Sequence, residues 1–184
     1  QPLFVVYNPQ QTWKPEDLSA SYAHVIAQHL IIQSKQPPPG GNQFFAEASE
    51  VLASMMGFGV LLSNSAYTFR GGCGSCYNAM ANRQPALTEL DNVFTLALFC
   101  RLKGIPNKEA TMHLKKYLRS SYKQAVKQID QRLEQVNDLK RIVWQDRPLT
   151  ANAMAVNAGL KWQFVMTCGL YAATFSRCKK PLMP

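Results

Sequence analysis

The residues of this chain best placed to do chemistry are His24 and His29, in the stretch Ala23-His24-Val25-Ile26-Ala27-Gln28-His29, with Glu47 and Glu50 some twenty residues on. Two imidazoles four residues apart on one helical face, a Glu beside the first and a third ligand from a later helix hold zinc and activate its water. Here that set is incomplete. His24 stands in the first imidazole position, but Val25 holds the place of the general base and Gln28 that of the second imidazole. A valine takes no proton from metal-bound water, so hydrolysis by this route is not expected. His29 lies about 140° around a regular helix from His24, and both reach one ion only if the helix is distorted. The side-chain carbonyl of Gln28 is a weak, neutral ligand beside imidazole. The residues therefore predict no catalytic group and no cofactor, with a zinc site of altered ligands, His24, Glu47 and His29, as the alternative.

Cys73-Gly74-Ser75-Cys76 is the one other spacing with chemical meaning, half of a zinc site or a redox dithiol. Cys100, Cys168 and Cys178 do not supply a second pair. An odd count of five argues against a disulfide framework in a domain of this size. Gly71-Gly72 ahead of the pair reads as loop rather than as the helix start that would lower a thiol pKa, so structural thiols are expected.

The elements that would position these groups are helices. Pro15-Glu16-Asp17 opens one, with acids where the macrodipole favours them, and it runs to about Ser34 before Gln36-Pro37-Pro38-Pro39-Gly40-Gly41 breaks it. A second helix, from about Phe44 to Tyr67, carries Glu47 and Glu50; Gly57 and Gly59 inside it predict close packing against a neighbour. Residues 70 to 85 read as a loop. Thr88-Glu89-Leu90-Asp91 has capping-box spacing and opens a third helix to about Lys103, which Gly104-Ile105-Pro106-Asn107 ends. Beyond it, Lys115, Arg119, Lys123 and Lys127 recur every four residues and form one basic stripe on a continuous helix, opposite an apolar seam of Tyr122, Val126, Ile129, Leu133 and Val136. The weakest point of this one helix is around Arg119 to Tyr122, where it could divide in two. Trp144 to Pro148 is a break, and Thr150 to Ser176 a further helix or helix pair. Pro2 to Tyr7 is the one short β candidate.

Residues 15–100 carry a wider pattern: Glu47-Ala48-Ser49-Glu50, then Gly57-Phe58-Gly59-Val60, then Ser63-Asn64-Ser65-Ala66-Tyr67, then the apolar stretch from Leu87 to Leu102. In this order the segments resemble a bacterial group of zincin-like proteins, minimal gluzincins of largely unassigned function. There, an H-E-x-A-H helix is followed by a helix of the form E-x-x-D with a later G-x-G, and then by an Asn-Ser/Ala-aromatic segment. The resemblance implies a mainly α fold, a compact helical domain with a zincin-like helix pair and at most one short β element. It implies that His24 is the first metal ligand, Glu47 the third, and that Glu50 replaces an Asp that orients a ligand. Val25 and Gln28 depart from the pattern, which points to a catalytically inactive member serving as a structural or protein-binding module. Residues 1–104 would be the degenerate zincin-like part and 105–184 a basic helical part packed in the same domain.

Composition bears on partners. Hydrophobic residues make up 47% of the 184 and charged ones 17%, a balance that favours a protein partner or a homo-oligomer. The longest apolar stretch, Val51 to Ala66, is about sixteen residues and follows Glu47 and Glu50, so no transmembrane segment is expected. With no signal-peptide pattern, the cytoplasm is the default location. The formal net charge is +9, and all of the excess lies late: residues 101–147 hold twelve Lys/Arg against five Asp/Glu. Lys115, Arg119, Lys123 and Lys127 are therefore the candidate partner-binding residues, with nucleic acid or another anionic surface as the alternative partner. No zinc-finger, KH or RNP signature accompanies them.

Overall fold

A computed structural model describes residues 5–38, 40–66 and 82–141. The fold is mainly α. Among the described residues it comprises α1 (Pro15–Ser34), α2 (Phe45–Ala53), α3 (Gly59–Ser65), α4 (Glu89–Lys103), α5 (Asn107–Met112), α6 (Arg119–Asp130) and α7 (Leu133–Lys140). The Cys73/Cys76 pair, the break at Trp144 to Pro148 and the expected helical stretch from Thr150 lie outside the described residues. No strand is present among the described residues: of the β candidate, Val5 to Tyr7 have no regular structure, and Val6 is 95% exposed, with no neighbour to shelter it.

Small residues set how closely α1 approaches its partners. Ala20, Ala23, Ala27 and Ile31 recur at three and four residues, are all buried, and meet Ala48, Val51, Ala53 and Leu62 of α2 and α3. Alanine side chains let helix backbones come near with little loss of side-chain entropy. Pro15 at the first helical position with Glu16 and Asp17 behind it starts α1, and Lys35, in the left-handed region at φ 55°, ends it.

The expected helix 44–67 is one helical run bent in the middle. A π turn, Ser54–Phe58, joins α2 to α3, and Gly57 within it sits at φ 105°, a conformation that costs an L side chain dearly. Gly59 serves a different purpose, the close packing that its position predicts. A Cβ there would lie 2.7 Å from Ser54 Oγ and 3.0 Å from Leu96 Cδ1, so α3 rests against α4 through a bare backbone. By length and composition the run Asn42–Ser65 would suit a bilayer span, and within the described residues it packs against α1 and α4.

α4 is the central element. Thr88 Oγ1 accepts from the backbone N–H of Asp91 at 3.2 Å and donates to Asp91 Oδ2 at 2.6 Å. Thr88 thus caps the helix start as its spacing predicts, although the reciprocal bond of a full capping box is replaced by this side-chain contact. Gly104 closes the helix at φ 70°, its N–H reaching back to the Cys100 carbonyl. One face of α4 buries Val93, Leu96, Ala97 and Cys100 with Leu118, Tyr122, Ala125, Ile129 and Val136 of the following elements.

The basic segment is not one helix. It breaks at His113 to Lys115 and again at Gln131–Arg132, giving α5, α6 and α7 with a short 3-10 turn at Lys116–Leu118. The first break has a donor-based cause: the Lys115 N–H turns away from the helical path to reach Asn64 Oδ1 at 3.0 Å. The second shifts the seam. Tyr122, Ile129 and Val136 are buried as expected and Val126 is half-buried, but Leu133, the first residue of α7, is 43% exposed.

Candidate functional site

The polar centre of the molecule is Glu50, on α2. It is fully buried, and a buried carboxylate is tolerable only when paired and hydrogen-bonded. It is both. Its Oε1 is ion-paired with Arg83 Nη2 and accepts from Asn92 Nδ2 at 3.1 Å; its Oε2 accepts from the backbone N–H groups of Ala86 at 2.6 Å and Leu87 at 2.8 Å. Four donors from two separate stretches of chain saturate the carboxylate. Asn92 is carried by α4, whereas Arg83, Ala86 and Leu87 come from the extended approach to it.

Arg83 is itself 4% exposed. Its backbone N–H reaches Asp17 Oδ2 at 3.2 Å, its Nε donates to Ser65 Oγ at 2.9 Å, and Nη2 also lies 3.4 Å from the Leu62 carbonyl. The guanidinium thus ties α2 and α3, and the backbone N–H ties α1, to the segment that leads into α4. Nη1 of Arg83 is buried without an acceptor among the described residues.

His24 faces the same region from α1. Its Nε2 lies 3.1 Å from the carbonyl of Ala46, the residue before Glu47, and since a carbonyl only accepts, Nε2 carries the proton. The imidazole pKa lies below its ordinary 6.5, first because the ring is taken out of water; the Glu50 charge opposes that shift and the Arg83 charge adds to it. His24 and Glu50 thus lie within each other's field, although the hydrogen bonds of each go elsewhere. Glu47 is half-buried and has no hydrogen bond or ion pair among the described residues, and Val25, Gln28 and His29 are half-buried on α1.

These donors do not fit a zinc ion as they stand. Nε2 of His24 is protonated toward a carbonyl, and Glu50 has no oxygen left for a metal. Among the described residues no three His, Cys, Asp or Glu side chains gather as a metal would require. The positive charge at this place belongs to Arg83.

A second polar knot lies at the other end of α3. Asn64 donates to Glu16 Oε1 at 2.8 Å and to the His113 carbonyl at 3.0 Å, while its own carbonyl accepts from Lys115 Nζ at 2.6 Å. Glu16 is also 3.7 Å from Lys115 Nζ. Lys115 is therefore engaged within the fold and stands before α6, off the basic stripe, contrary to the expectation of one helix. Arg119 is turned inward as well, donating to the carbonyls of Leu114 and Met112 at 3.2 Å each. Lys123 and Lys127 remain exposed on α6.

Sequence reasoning assigned residues 70 to 85 to a loop and so passed over Arg83. A signal was available. Glu50 lies among apolar residues on a helix expected to be buried and must have a cation, and residues 1–100 contain only Lys14, Lys35, Arg70 and Arg83. No family model, curated protein or solved structure matches the chain.

Proposed function

We propose that the chain is a catalytically inactive zincin-like protein that acts as a structural or protein-binding module. The observation that carries this reading is the saturation of Glu50 by Arg83, Asn92 and two backbone N–H groups. The acid in the place of a ligand-orienting Asp holds the fold together, and an arginine supplies the cation. Val25 and Gln28 remove the base and one imidazole from the same helix. The groups that survive, His24 and Glu50, are spent on packing α1, α2 and the approach to α4. The test is metal analysis of the full chain purified without a metal-affinity tag, beside digestion of a general peptide library with and without chelator. The expected outcome is no stoichiometric zinc and no cleavage; chelator-sensitive cleavage would overturn the reading.

A binding role on an anionic partner rests on Lys123 and Lys127, the two stripe residues left exposed. Retention on a polyanion that falls steeply with salt, and falls further in Lys123→Glu/Lys127→Glu, is its expected signature.

A further inference from the structure

A cleft of about 260 Å³ opens between the C-terminal half of α4, the loop after it, α6 and the end of α7. Ala97, Ile105, Val126 and Ile129 supply apolar wall, and Arg101 and Lys140 are the charged lining residues. No acid lines it among the described residues. We propose that this cleft binds a small amphipathic anion, an apolar tail bearing one carboxylate.

Both ends of such a ligand have a counterpart. Ile129 is buried, and Ile105 and Val126 are half-buried and packed against the core cluster, so the apolar wall is backed by rigid packing rather than by loops. The Lys140 ammonium has no acceptor among the described residues. Arg101 meets Asp130 at 2.7 Å, but the two side chains are 45% and 41% exposed. Asp130 Oδ1 is shielded from water, but the pair uses one of the five N–H donors of the guanidinium and leaves the others for a ligand. A carboxylate between Arg101 and Lys140 would gain charge-assisted hydrogen bonds while its tail leaves water. The volume falls short of the roughly 300–1,000 Å³ of sites for larger ligands, which limits the tail to a single ring or a short chain. The cleft is separated from the Glu50–Arg83 centre by the body of α4, so the inference does not depend on the proposed function.

The experiment is a nuclear magnetic resonance titration of the full-length, isotope-labelled chain with octanoate, octanol and octylammonium. The expected result is that octanoate shifts the methyl signals of Ile105, Val126 and Ile129 to a one-to-one endpoint. The neutral and cationic analogues should bind at least about tenfold more weakly, and Lys140→Glu should weaken octanoate by about tenfold, the scale of one lost charge-assisted contact. Lys140 is exposed, so this change leaves the fold intact. Three results would each overturn the proposal. One is unmoved methyls at saturating octanoate. The others are octanol binding as well as octanoate, and undiminished octanoate binding in Lys140→Glu.

Discussion

Arg83 shows how a single side chain decides the character of a site. Its removal leaves Glu50 buried without its cation, and breaking one member of a buried pair costs about 3–5 kcal/mol. Arg83→Met should therefore lower the urea midpoint by most of the stability of a marginal domain, whereas Glu50→Gln/Arg83→Met, which leaves no unpaired charge, should recover much of it. Equal midpoints for the parent and Arg83→Met would show that the pair does not hold the fold. His24 gives a second expectation, in pH. Its folded-state pKa is depressed below 6.5, so the unfolded chain binds the proton more readily. Stability is then at its full value above about pH 6.5 and declines as pH falls through the folded-state value, below which this contribution is flat. Urea midpoints between pH 8 and 5 should show that decline in the parent and a shallower one in His24→Gln.

At the scale of elements, the two glycines of the α2–α3 bend answer to different constraints and should respond differently to alanine. Gly59→Ala places a methyl 2.7 Å from Ser54 Oγ and 3.0 Å from Leu96 Cδ1, and overpacking of this kind costs about 1–3 kcal/mol. Gly57→Ala meets no atom within 4 Å but must keep φ at 105°, so its cost, about 1–2 kcal/mol, is backbone strain alone. A larger residue at 59 should worsen the first clash, while Gly57→Asn should relieve the second strain; thermal midpoints of the four variants check both. The spacing of the glycines forecast a tight approach, and Gly59 supplies it. That Gly57 is a bend was not legible, because a lone glycine inside an apolar run reads alike for close packing and for a turn.

The described residues are organised around α4, which packs on α3 before it and on α6 and α7 after it. Leu96 sits at that junction, 3% exposed and close against Gly59. Leu96→Ala should cost about 2–5 kcal/mol through the lost transfer energy and the cavity left behind. If the described residues unfold as one unit, hydrogen-exchange protection in α1 and in α6 should fall together. Loss of protection confined to α6 and α7 would show two separately unfolding parts.

What the sequence determined by itself is what local chemistry determines. Pro15 with its acids, the Thr88 cap and the Gly104 stop each act within a turn or two of chain, and their elements stand where those residues put them. That Val25 cannot act as a base is legible for the same reason: no fold turns a valine into a proton acceptor. Tertiary structure decided what depends on long-range partners. The Lys115 N–H leaves the helical path for Asn64, some fifty residues away, so the basic stretch divides where periodicity alone would continue it. Glu50 meets Arg83, 33 positions further along the chain. The sequence could require a cation for a buried acid, but only the packing of α1, α2 and α3 against the approach to α4 selected which arginine provides it.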